Sequence, residues 1–273
     1  MTLCVAAICE GRYAVLATDR LVSMPQPNLQ FEADYPKAVP LGKNCMLGQS
    51  GSIQAFSRFL ETTNQSLEGS GERSVGDLAE RLREAYVKVR NKKIEEDILY
   101  SVGLDLRSFY QSNSSLRPEL VVPLVRSMEK CDLRLWVIVV GVDPGGPHIY
   151  KISNPGRLLN FDGLGLASVG SGEAHAVQSM VESGFSPRES ALGETLGMVF
   201  SAKKAGEKAQ SVGGPTRMFV IGADAIVEVP SEIMAELGTQ YERERRRVSR
   251  GRRRLSVHDL GFLGHGHGDV KKA

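Results

Sequence analysis

The chain commits its first residues to a sheet. Immediately after Met1 it reads TLCVAAICEGRYAVLATDR, from Thr2 to Arg20. That is an apolar strand, a turn at Glu10-Gly11-Arg12, a second apolar strand and an abrupt Asp-Arg. Chain ends fray unless something ties them down, yet here a strand starts at residue 2 and its first side chain is a hydroxyl. A fold that begins this way must be built around its own N-terminus.

The rest of the chain repeats that theme. Thr2–Cys9 and Tyr13–Thr18 read as a hairpin, and 21–34, with Pro25 and Pro27, reads as a loop. Short strands follow at Ala38–Leu41 and Cys45–Gln49, broken by Gly48-Gln49-Ser50-Gly51. Ile53, Phe56, Phe59 and Leu60 then mark one face of a helix from about Ser52 to Leu67. A Gly, Ser and charge-rich linker at 68–74 leads to a longer amphipathic helix, Val75–Leu99. Residues 100–130 show no clear period and read as an insertion packed at an edge. Strands return at 133–142, 147–153, 158–162 and 166–169, then a helix at 173–183. Ser186-Pro187-Arg188-Glu189 predicts the start of another helix, with Ser as cap and Pro in the first turn, running to about Lys208. Strands at Met218–Ile221 and Ala225–Val229 close the pattern. Strands, two helices, strands, two helices, strands: the expected class is α+β, a four-layer αββα sandwich of two antiparallel sheets flanked by helix pairs. Residues 1–230 read as that domain and 231–273 as a basic C-terminal tail.

Composition narrows the partners. Residues 241–273 carry ten Lys/Arg against four Asp/Glu, which leaves 24 against 28 in residues 1–240. The net charge of +2 therefore hides a mildly acidic body and a basic tail with eight arginines between Glu242 and Arg254. Such a run can bind phosphate by releasing counterions; a solvated or helical appendage is the commoner case, and nucleic acid is not expected as a partner. No run of eighteen apolar residues predicts a membrane span, and no basic-then-apolar opening predicts secretion. Cys4, Cys9, Cys45 and Cys131 lack metal-ligand spacing and read as free buried thiols of a cytoplasmic protein. No metal or cofactor is expected.

Removal of Met1 would leave a residue with a hydroxyl and a free amine on adjacent atoms. A threonine hydroxyl needs a base to become a useful nucleophile, and its own α-amino group can serve, with a reference pKa of about 7.7–8.0. A lysine nearby would favour the neutral amine, because like charges repel. An acid would then be needed to hold that lysine.

Four pieces carry a resemblance: TLCVAAICEGRYAVLATDR, DYPKAVPLGKNCMLGQSGS, ASVGSGEAHA and SVGGPTRMFVI, which together span roughly Thr2–Val229. In order and spacing they resemble the β-type proteasome subunits and related bacterial protease-core subunits, members of the N-terminal nucleophile hydrolases. The resemblance implies Thr2 as nucleophile, Asp19 as the acid ending the second strand, and Lys37 as the lysine beside the nucleophile. It implies Gly51, fourteen residues after Lys37, as the backbone donor to the oxyanion. It implies Ser171, between two glycines, and Ser211 as residues ordering the terminal amine. The activity implied is threonine-type peptidase cleavage of peptides or unfolded proteins inside a homo-oligomeric ring, with room for an unfolding ATPase partner.

The chain also departs from that pattern. The acid expected three residues before the serine is replaced by Lys208 or Ala209. A catalytically inactive scaffold subunit and a small-molecule amidohydrolase of the same superfamily therefore stand as alternatives. Gly170-Ser171-Gly172 after a strand also resembles part of a dinucleotide loop, but that fingerprint needs a second parallel strand closed by an acid, where residues 186–208 read as helix.

Overall fold

The structure is a computed structural model that describes residues 3–19, 21–24, 29–32, 37–67, 74–112, 114–209, 213 and 216–251. Two hairpins generate the first sheet. Strands β1 (Leu3–Cys9) and β2 (Tyr13–Asp19) pair antiparallel across the predicted turn. β1 also pairs with a strand at Leu166–Gly170, and β2 with one at Thr216–Ile221, which in turn pairs with Ile226–Glu228. The second sheet is built from Ala38–Pro40, Cys45–Gly51, Leu135–Asp143, Gly146–Ser153 and Arg157–Asn160, neighbours in that order. In chain order these strands are β5, β6, β7, β8, β9 for the second sheet and β10 (Leu166–Gly170), β11 (Thr216–Ile221) and β12 (Ile226–Glu228) for the remainder of the first. Two short strands, β3 (Leu21–Met24) and β4 (Leu29–Glu32), pair with each other.

Period-two alternation explains why β1 is buried at all seven positions. Leu3, Val5, Ala7 and Cys9 face a core capped by helices, whereas Cys4, Ala6 and Ile8 face the other sheet. A strand covered on both faces has no polar face to alternate with. Helices α1 (Ile53–Leu67) and α2 (Val75–Ile94) cover the second sheet, with Phe56, Phe59, Leu82, Tyr86 and Val89 packed against Leu47, Val137 and Val139. The first sheet is covered by α5 (Glu173–Glu182) and α6 (Leu192–Gly206), through Ala176, Met180, Val199 and Phe200. The four layers are those the pattern predicted.

Between α2 and β7 lies the expected insertion. A π-helical turn at Glu95–Leu99 and a 3₁₀ turn at Tyr100–Val102 extend α2. Helices α3 (Leu106–Ser112) and α4 (Pro118–Lys130) follow, around a small core of Ile94, Leu99, Phe109, Leu124 and Met128. A final helix, α7 (Ser231–Gly251), packs on α6 through buried Leu237 and the edge-to-face pair Phe200–Tyr241. Arg243, Arg245, Arg246 and Arg247 are exposed on it.

Three local expectations are corrected. The 21–34 loop contains the β3–β4 pair: prolines end strands without forbidding them next door, and Pro25 and Pro27 lie outside the described residues. The strand through Cys45 does not break at Gly48 but continues to Gly51. Ser186-Pro187 does not start α6. Ser186 and Ser190 close a turn on themselves, Ser186 N–H to Ser190 Oγ at 3.1 Å and Ser190 N–H to Ser186 O at 3.0 Å. The helix begins at Leu192, where the Glu194 carboxylate accepts the Ala191 N–H at 3.2 Å. The cap signal was real, but Gly11 N–H already takes the Pro187 carbonyl in a tertiary contact at 3.3 Å.

At the far end of the sandwich, His148 sits between two carboxylates, Nδ1 2.7 Å from Asp162 and Nε2 3.2 Å from Asp143. Asp143 also accepts the N–H groups of Val75 and Gly145, so it ties the start of α2 to the β7–β8 turn.

Candidate active site

The start of β1 is held by four separate contacts. Leu3 N–H donates to Asp19 Oδ1 at 3.1 Å, and the Cys4 thiol donates to the Gln49 carbonyl at 3.2 Å. Ser168 Oγ donates to the Cys4 carbonyl at 2.9 Å. The Leu3 side chain fills the space above Gly206, where an added Cβ would stand 2.2 Å from Leu3 Cδ2. Only a residue without a side chain lets α6 end that close to the strand.

Asp19 is the hub. Its Oδ1 accepts the Lys37 ammonium at 2.9 Å as well as Leu3 N–H, and its Oδ2 accepts Gly213 N–H at 3.0 Å. The pair is buried, with side-chain exposures of 0% for Asp19 and 3% for Lys37. Two opposite charges in a low-dielectric site attract strongly, but taking them from water costs several kcal/mol each. The additional N–H donors on the carboxylate offset part of that cost. Lys37 is fixed through its backbone too, since its carbonyl accepts Gln49 N–H at 2.9 Å. The Cys4 thiol beside them is pushed up to about 12, by burial first and then by the charge of Asp19. It is a packing group.

Gly51 closes β6 opposite Leu135 with φ +119. A Cβ there would stand 1.9 Å from the Arg134 carbonyl oxygen, so only glycine fits. Ser171 is exposed on the turn after Gly170, and Gly170 pairs with Leu3 in the β1–β10 register. Thr2 and Ser211 lie outside the described residues. Among the predicted residues, Asp19 and Lys37 are in direct contact, Ser171 follows the end of β10, which pairs with β1, and Gly51 ends β6 in the opposite sheet.

One participant was not anticipated. Lys203, on α6, is fully buried, and its ammonium lies 2.5 Å from the Gly213 carbonyl and 2.5 Å from Glu207 Oε1. Burial lowers its proton affinity and Glu207 partly restores it. Lys203 therefore fixes the Gly213 backbone, whose N–H reaches Asp19. The signal was present: Leu196, Val199, Phe200 and residue 203 share one helical stripe, which puts a lysine on a core face. Among the described residues, no group of three His, Cys, Asp or Glu side chains could hold a metal ion, and no helix is long and apolar enough to cross a membrane.

Two face-to-face antiparallel sheets, flanked by helix pairs and with a buried acid and lysine at the start of the first strand, form a four-layer αββα sandwich. No protein-family profile matches the sequence, and no curated protein matches it. Among solved structures, the chain is similar to a Gly-1 mutant of Anbu from Hyphomicrobium sp. strain MC1. The TM-score is 0.64 at 14% identity, over 94% of this chain and 100% of that one. The likeness is one of fold. The antiparallel pairing of β10 with β1 excludes the dinucleotide reading, which needs a parallel sheet.

Proposed function

We propose that the chain is an N-terminal threonine peptidase of the proteasome type. The observation that carries this reading is the Asp19 carboxylate, which holds both the backbone N–H of Leu3 and the Lys37 ammonium at the start of β1. A structural ion pair needs no such address, whereas a residue-2 nucleophile does. The Thr2 amine, freed by removal of Met1, takes the hydroxyl proton. The Thr2 oxygen attacks the peptide carbonyl while the Gly51 N–H stabilises the oxyanion, an interaction worth on the order of 10²–10³ in rate. The protonated amine passes its proton to the leaving amine, and water then cleaves the acyl ester. Lys37 keeps the amine neutral by charge repulsion, and Ser171 and Ser211 orient it. Substrates are peptides or unfolded segments, and the protein works as a homo-oligomeric ring in the cytoplasm, open to an ATPase partner.

The absence of an acid at 208 or 209, and the use of Lys203 to hold the Gly213 backbone, favour a second reading: a scaffold subunit that keeps the fold without the chemistry. Intact mass and a Thr2→Ala variant separate the two. Loss of Met1 together with Thr2-dependent hydrolysis of fluorogenic peptides supports the peptidase. Retained Met1, or activity indifferent to Thr2→Ala, supports the scaffold.

A further inference from the structure

The chain has a single tryptophan, and the fold places it on the strand beside the one that ends at Gly51. Trp136 is the second residue of β7, and in a strand otherwise buried from Leu135 to Asp143 it alone is exposed, at 37%. Its direction follows from parity. Leu135, Val137 and Val139 lie in the core under α1 and α2, whereas Ile138 and Val140 lie in the core between the sheets. Trp136 therefore points to the inter-sheet side, one row outward from Ile138. Its cross-strand partner on β6 is Ser50, the residue before Gly51.

The row just inside it is closed by the other sheet. Gly48 pairs with Ile138, and a Cβ on Gly48 would lie 3.4 Å from Cys4 Sγ and 3.4 Å from Leu16 Cδ1. Ser50 and Trp136 thus form the outermost β6–β7 pair on the inter-sheet face of the second sheet, at the end where β1 starts, Asp19 closes β2 and Gly170 closes β10. Among the described residues at this end, Asp19 pairs with Lys37 and Lys151 with Glu173, and Arg134 is exposed two residues before the indole. Across the strand from the indole on β6 stands the hydroxyl of Ser50. A flat, exposed apolar surface of this kind recognises another flat apolar group, since aromatic rings attract in offset or edge-to-face geometry.

We propose that Trp136 is a specificity-determining residue: its indole receives an aromatic side chain of the substrate peptide beside the bond to be cut, on the β7 side of Gly51. This rests on the peptidase reading above, and the experiment separates the two. Indole emission reports Trp136 alone, so binding can be followed in the Thr2→Ala protein without turnover. The probes are two short blocked peptides that differ at one position, phenylalanine in one and aspartate in the other. The phenylalanine peptide is expected to shift the emission saturably, with a dissociation constant about three- to ten-fold lower than that of the aspartate peptide. In the active protein, Trp136→Ala is expected to raise KM for the phenylalanine peptide by the same factor with little change in kcat, and Trp136→Phe to restore it.

Thr2-dependent hydrolysis with no emission response to peptide would overturn the platform and leave the peptidase intact. A saturable, phenylalanine-selective emission change without hydrolysis would support the platform and overturn the peptidase. An emission change that follows protein concentration, whatever peptide is present, would place the indole between copies of the chain and overturn the platform.

Discussion

Lys37 and Asp19 stand 2.9 Å apart, eighteen residues distant in sequence, with almost no solvent on either side chain. That single contact joins the strand that ends the first hairpin to the segment that opens the second sheet. Because Asp19 also holds Leu3 N–H and Gly213 N–H, the pair organises three remote segments around the N-terminus.

Replacing the acid with its neutral isostere tests that role. Asp19→Asn removes a counter-charge from the buried Lys37 ammonium, and breaking one partner of a buried pair costs about 3–5 kcal/mol. The urea midpoint should fall accordingly, and peptide hydrolysis should fall more steeply than unfolding alone explains. Wild-type activity in a well-folded Asp19→Asn protein would refute the assignment.

Gly51→Ala should be harmful out of proportion to one methyl group. The added carbon meets the Arg134 carbonyl oxygen at 1.9 Å, and φ +119 is foreign to alanine. Forcing a residue into such a region costs of order 1–3 kcal/mol, and the displaced strand end would carry the proposed oxyanion donor with it. Thermal melting together with kcat gives the readout.

Lys203→Met removes the ammonium that fixes Gly213. The carbonyl of Gly213 loses a buried donor, at a cost of about 1–3 kcal/mol. Glu207 suffers less, since it is part-exposed and keeps Lys204 at 2.9 Å. The denaturation midpoint should drop, whereas Lys204→Met on the same helix should leave it nearly unchanged.

The His148 cluster should make stability depend on pH. Burial by itself would lower the His148 value, but the hydrogen bond and charge of Asp162, followed by those of Asp143, outweigh it and hold the imidazolium above its ordinary range. Burial would raise Asp143, yet the N–H groups of Val75 and Gly145 and the charge of His148 hold it low. The histidine's contribution is complete below about pH 6.5 and is lost as pH rises through the folded value. The aspartate's is complete above about pH 4 and is lost as pH falls through its lowered value. Denaturant midpoints should therefore decline from mildly acidic to alkaline pH, and His148→Gln should flatten that slope.

The thiols should be inert in the folded protein. Burial pushes Cys4 and Cys45 up to about 12 and Cys9 to about 11, so almost no thiolate exists near neutral pH. Alkylation followed by mass spectrometry should label these three only after denaturation.

Much of this architecture was legible before any coordinates. The N-terminal hairpin, the helix pairs and the two strand runs follow from periods of two and of 3.6, because local geometry alone turns apolar residues onto one face. The same patterns failed at Ser186, where a good cap was already engaged in a turn, and at 21–34, where proline content hid a strand pair. Lys37 and Asp19 could be singled out one by one, but a lone lysine at a strand start and an acid beside an arginine each look like ordinary surface residues.

By itself, the sequence determined which segments become strands and helices, and that Leu3–Cys9 and Tyr13–Asp19 form an apolar hairpin. Only the tertiary structure decided that Asp19 faces Lys37 rather than solvent, that Lys203 is buried beneath Gly213, and that Trp136 stands uncovered in the outermost β6–β7 pair. The physical reason is range: periodicity reports on a few neighbouring residues, whereas a buried charge or an open indole is defined by what the opposite sheet and the covering helices bring to it.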